Sequence, residues 1–128
     1  MRVLLDTHTL LWWVLGTSDL SAVARRLLSD PATTVVVSAV SGHEIATKFR
    51  LGKLAVPIRL AEHLDQVAAE SGWEALPLSI AHGQLAGGLP RPHRDPFDRM
   101  LAAQSLIKGM PVVTNDVAIA GFGVRILW

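Results

Sequence analysis

Four of the chain's eleven acidic residues are set apart by where they fall: Asp6, Glu44, Asp98 and Asp116. Asp6 closes VLLD and Asp116 closes PVVTND, each straight after an apolar run with the pattern of a buried strand. Glu44 lies in the first turns of a helical stretch that follows the β-branched run TTVVVS, and Asp98 lies in HRDPFDRMLAAQ, three residues after Asp95. In open α/β sheets, ligands bind outside the carboxyl ends of the strands. If the strands ending at Asp6 and Asp116 are neighbours, their carboxylates face one crevice. Carboxylates that share a crevice repel one another, and a divalent cation relieves the repulsion. The donors are all oxygen and the chain has no cysteine, which favours Mg²⁺ or Mn²⁺ and excludes a thiolate zinc site. The chemistry such a centre serves is phosphoryl transfer or phosphodiester hydrolysis, in which the metal activates water and stabilises charge on the phosphate. Asp30, Glu62, Asp65, Glu70 and Glu74 fall on amphipathic surfaces and need no special account.

Asp95 and Asp98 look alike but read differently. With Pro96 at the first helical position, Asp95 is the expected N-cap, accepting amide hydrogen bonds that the first turn leaves unpaired. Asp98 is then the third helical residue, where a carboxylate complements the helix dipole. It also shares a helix face with Ala102 and Ser105, small residues that let another element approach, and a carboxylate held there needs a counter-charge. Glu44 precedes Ile45, which should face the core, so Glu44 is expected near the margin of the buried face. His8 and His43 neighbour acids and read first as core or solvated histidines, with substrate contact the lesser alternative. Neither they nor His82 and His93 show an HExxH or paired-histidine spacing, which leaves a zinc hydrolase without support.

The elements that must position these groups alternate. Strands are expected at 3–6, 33–38, 73–78, 111–116 and 124–128. Helices are expected after Asp6, from Ser21 to Pro31, from Ala39 to about Gly52, over 59–72, weakly over 79–88, and from Pro96 to Gly109. That alternation predicts an α/β fold with a mostly parallel central sheet. The 128 residues fit one domain, residues 1–128. The N-terminus MRVLLDTH has no signal-peptide pattern, and the run LLWWVL is far shorter than the roughly 20 residues a membrane span needs. A soluble, cytoplasmic protein with no membrane role is expected. Half the residues are hydrophobic and mean hydropathy is +0.36, which fits a sheet covered on both faces together with an apolar surface for a partner subunit. Net charge is +1, so there is no global basic signal for nucleic acid, although cations gather at 43–59 and 91–99. No GxGxxG or GxxxxGK[ST] is present to cradle a dinucleotide or nucleotide phosphate.

The segments LLDTHTLLWW, VSAVSGHEIATKFRLGKL, HRDPFDRMLAAQ and VVTND resemble, in order and over nearly the whole chain, the PIN-domain ribonucleases, and among them the VapC-type toxins of type II toxin–antitoxin systems. The resemblance implies a PIN-like, Rossmann-like three-layer fold with about five strands in the order 3-2-1-4-5, which sets the first and fourth strands side by side. It implies a quartet of Asp6, Glu44, Asp98 and Asp116 binding Mg²⁺ or Mn²⁺, with Glu44 completing the cage or positioning the attacking water. Hydrolysis by water leaves a 5′-phosphate and a 3′-OH. Asp95 is an extra carboxylate relative to many members; it either caps the helix or reaches the metal through water. Thr7, and either Thr114 or Asn115, sit beside the acids and are expected to orient them. Lys48, Arg50, Arg91, Arg94 and Arg99, with His93, are candidate RNA contacts. The resemblance also implies a VapB-like antitoxin laid across an apolar groove, for which the LLWWVL and AVARRLL helices are candidates, and a homodimer or toxin–antitoxin hetero-oligomer. Rival readings are another Mg²⁺-dependent nuclease or phosphatase on the same acids, and a non-catalytic PIN-like binding protein.

Overall fold

The computed structural model describes residues 1–128. Its sheet has five strands: β1 (Arg2–Leu5), β2 (Thr34–Ser38), β3 (Glu74–Leu76), β4 (Val112–Val113) and β5 (Ile126–Leu127). All neighbouring pairs are parallel and the order is β3-β2-β1-β4-β5, as expected. β1 and β4 are therefore adjacent, with Leu4 opposite Val112 and Leu5 opposite Val113.

Period-two alternation divides the strand residues between two apolar layers. Val3, Leu5, Val35, Val37 and Val113 join one core with Leu10, Leu28, Ile45, Leu60 and Val67. Leu4, Val36, Leu76 and Val112 join the other with Val40, Leu101, Ile119 and Phe122. Burial on both faces is what the continuous apolar strand runs required. The helices are α1 (Thr7–Leu15), α2 (Ala22–Ser29), α3 (Ala39–Arg50), α4 (Ile58–Glu62), α5 (Leu64–Glu70), α6 (Ile80–Gly88), α7 (Pro96–Lys108) and α8 (Val117–Ala120). None is long and apolar enough to cross a membrane.

Their ends follow the local chemistry. Ser21 accepts the Ala24 amide at 3.0 Å and caps α2. Gly16 and Gly109 close α1 and α7 in the left-handed conformation that a side chain resists. One expectation is corrected. The single helix read over 59–72 is two helices, broken at His63, whose φ of −134° and ψ of 37° are not helical. The His63 carbonyl starts the new helix by accepting the amides of Gln66 and Val67. The break buries two adjacent pairs, Leu60 with Ala61 and Val67 with Ala68, where one straight stripe would have used Leu64, which is only half-buried.

Candidate functional site

Asp6 and Asp116 are placed by the same device. Each follows one of two adjacent parallel strands, β1 and β4, and each is the N-cap residue of the next helix. Asp116 caps α8 conventionally, its Oδ1 accepting the Ala118 amide at 2.9 Å. Asp6 makes no such cap bond. Its Oδ2 accepts instead from the hydroxyl of Thr114 at 2.8 Å, and the same Thr114 oxygen accepts the Asp116 amide at 3.0 Å. Thr114 is fully buried, so one hydroxyl ties the two strand-end acids together.

Asp6 is 5% exposed. Burial raises its pKa; the Thr114 hydrogen bond and nearby His8 oppose the rise, and the charge of Glu44 adds to it. Thr7, expected to steer an acid, has its hydroxyl 2.9 Å from that of Ser41 in the first turn of α3. It thereby fixes α3, and with it Glu44, against the start of α1. Asn115 is exposed and its side chain makes no hydrogen bond.

Glu44 is buried at 3% exposure, deeper than the marginal position expected. Its Oε2 lies 2.5 Å from the ammonium of Lys48, one turn on. Lys48 is therefore engaged by an acid of the site, which competes with the phosphate contact expected of it.

The α7 start is organised as its sequence suggested. Asp95 Oδ1 accepts the amides of Phe97 at 2.9 Å and Asp98 at 3.4 Å, with Pro96 at the first helical position. Asp98 sits one turn below the fully buried Ala102, and its Oδ2 is 2.9 Å from Nε2 of His93. Burial pushes the Asp98 carboxyl up to about 6; His93 opposes the shift, and the charges of Asp95, Asp6 and Asp116 add to it. Acids from β1, β4 and α7 thus act on one another through a shared region at the carboxyl edge of the sheet. No group of three or more carboxylates or histidines closes to metal-ligand spacing. The donor set fits a hard divalent cation all the same: oxygen donors only, with Asp6 and Asp98 carrying a desolvation and like-charge cost that a cation would offset.

The expected RNA contacts separate. Arg50, Arg91 and Arg94 are exposed. Arg91 packs over Gly121, where an added Cβ would stand 2.7 Å from its Nη2. Arg99 does not have the free guanidinium that a phosphate contact needs. It donates to the carbonyls of Ala86 (2.8 Å), Arg91 (2.8 Å), His93 (3.0 Å) and Leu89 (2.6 Å), and lies 5.7 Å from the centre of the Phe122 ring. A rigid fork of donors that gathers the carbonyls of 86–93 is a structural clamp. By holding the His93 carbonyl it also sets the imidazole that meets Asp98.

Two participants escaped the sequence reading. The first is His93 as the partner of Asp98; five residues apart across a proline, the pair has no helical or strand spacing to reveal it. The second is Gln104, fully buried on α7. It accepts from the Ser38 hydroxyl at 2.5 Å and donates to the Pro77 carbonyl at 3.2 Å, and its amide lies 3.3 Å from Nδ1 of His82. Ser38 in turn caps α3 through the Val40 amide at 3.0 Å. Gln104 thus joins the helices carrying Asp98 and Glu44. Its signal was a polar residue three past Leu101, on the buried face of an otherwise apolar stripe.

The fold has solved counterparts. The VapBC2 structure from Rickettsia felis, bound to a DNA fragment from its promoter, aligns with TM-score 0.68 at 14% identity over 99% of this chain and 98% of that one. A toxin–antitoxin complex from Klebsiella pneumoniae aligns with TM-score 0.67 at 12% identity, over 98% and 96%. VapBC-5 from Mycobacterium tuberculosis, of the VapBC family of toxin–antitoxin systems, aligns with TM-score 0.57 at 18% identity, over 98% and 95%. At these identities the likeness is one of fold. No curated protein matches the sequence significantly. The PIN domain family model matches residues 3–123, nearly the whole of a chain whose parallel sheet runs in the order 3-2-1-4-5 with aspartates at the ends of its central strands, and the chain belongs to the PIN domain family.

Proposed function

We propose that the chain is a divalent-metal-dependent endoribonuclease, the VapC-like toxin of a toxin–antitoxin pair. PIN domains are typically nucleases, which supports a hydrolase at the general level. The observation that carries the reading is the Thr114 hydroxyl joining Asp6 and Asp116 at the carboxyl ends of adjacent strands, with Asp98 coupled to both. Asp6, Asp98 and Asp116 would hold Mg²⁺ or Mn²⁺, with Glu44 completing the acidic set. A bound ion supplies an activated water and stabilises charge on the phosphodiester. The chain's own residues do the rest. Thr114 orients Asp6, His93 orients Asp98, and exposed Arg50, Arg91 and Arg94 contact the RNA backbone.

The partner reading rests on the fold neighbours, which are toxin–antitoxin complexes, and on the α1–α2 surface. Trp12, Trp13, Val14 and Leu27 are only partly buried there, and Leu15 and Val23 are 43% and 54% exposed. An amphipathic segment of a cognate VapB-like antitoxin would lie along that face, and the toxin would pair as a homodimer or within a hetero-oligomer.

The test is product analysis on end-labelled RNA, DNA of the same sequence and p-nitrophenyl phosphate, each with Mg²⁺ and with EDTA. The expected result is internal RNA cleavage to 5′-phosphate and 3′-OH ends, lost in EDTA, with the other substrates intact. Turnover of the ester or of DNA instead would assign a phosphatase or a DNA nuclease. Turnover of none would assign a binding protein.

A further inference from the structure

Glu44 and Lys48 form an ion pair of unusual placement. They are one turn apart on α3 in the favourable order, glutamate first. On an exposed helix such a pair is a minor surface feature. Here the glutamate side chain is 4% exposed and the lysine side chain 33%, so the ammonium comes in from the rim to meet a carboxylate in the wall of the acidic region. Lys48 is also attracted by Asp95 and Asp98 at the start of α7. One lysine thus balances acids from two helices. The other site acids are committed elsewhere: Asp6 to Thr114, Asp98 to His93 and Asp116 to the Ala118 amide of α8.

Many acidic phosphodiesterase centres hold two divalent ions about 4 Å apart. A second ion beside Glu44 would have to displace a tethered ammonium 2.5 Å from its oxygen and would then be repelled by it. We propose that Lys48 is the resident second cation of this site, so that the chain binds a single divalent ion, on the side of Asp6, Asp98 and Asp116. Lys48 is a positioning residue: it holds Glu44 and sets the charge of the site. The proposal rests on the metal-site reading above and adds to it the number of ions and the device that limits it.

The experiment is calorimetric titration of the full chain with Mn²⁺, with free Mn²⁺ followed by electron paramagnetic resonance, so the readout is metal binding rather than activity. Wild type is expected to bind one ion. Lys48→Met is expected to bind two, the second on the released Glu44, and Lys48→Arg, which keeps the charge, to remain at one. Should Lys48→Met fail to fold, Lys48→Gln, which is neutral but still able to donate to Glu44, replaces it with the same expectation. Two ions in wild type, or one in the folded neutral variant, would overturn the proposal and leave the metal-site reading standing. No ion in wild type would overturn both.

Discussion

The hydroxyl of Thr114 donates to Asp6 Oδ2 at 2.8 Å from a fully buried position, and it is the one side-chain hydrogen bond that Asp6 receives. Asp6 is largely dehydrated, and this donor offsets part of the cost of burying its carboxylate. Thr114→Val keeps the shape and removes the donor. It is expected to cost roughly 1.5–3 kcal/mol, the scale of a hydrogen bond to a charged group, while Thr114→Ser keeps most of that. Urea unfolding of the three proteins checks it; equal stability of Val and Ser variants would remove Thr114 from its role.

Asp98 gives a pH dependence. Its folded pKa, raised to about 6, lies above the ordinary 3.8. Between those values the folded protein holds a proton that the unfolded chain has released, so stability falls as pH rises through the window and the loss is complete above about 6. Ion-free protein should therefore show a melting temperature that declines from pH 4 to pH 6 with a contribution absent in Asp98→Asn. Since the cost comes partly from Asp6, Asp95 and Asp116, added Mg²⁺ should raise the melting temperature more at pH 7.5 than at pH 5. Parallel slopes for the two proteins would contradict the assignment.

Arg99 should act on the loop rather than on RNA affinity. Arg99→Lys cannot reproduce a planar fork bound to several carbonyls. It is expected to lose about 2 kcal/mol, on the scale of hydrogen bonds from a charged donor, and to open 87–95 to proteolysis. Binding of RNA by catalytically silent protein should keep its salt dependence. A reduced salt slope with unchanged proteolysis would return Arg99 to the phosphate contacts.

Much of the frame was legible because it depends on short-range chemistry. Apolar runs ending in aspartate marked β1 and β4, Asp-Pro marked the start of α7, and glycines marked the ends of α1 and α7. The break at His63 was not legible, because 59–72 carries an unbroken helical stripe and no glycine or proline near His63 marks it. Charge alone also misled at 91–99. Arg99 looks like its neighbours Arg91 and Arg94 until the fold turns its guanidinium onto the carbonyls of its own loop. Gln104 and His93 belong to the same class: their partners lie on other elements, at separations that carry no periodic signal.

The most direct test of the metal-dependent ribonuclease reading compares two aspartates three residues apart. Purified wild type, Asp98→Asn and Asp95→Asn are incubated with end-labelled RNA in Mg²⁺ and in EDTA. Asp98→Asn should abolish cleavage. Asp95→Asn should retain it with little change in stability, because the asparagine amide oxygen can cap α7 about as well as the aspartate Oδ1, and EDTA should silence every sample. Cleavage by Asp98→Asn at the wild-type rate, or cleavage that persists in EDTA, would contradict the account.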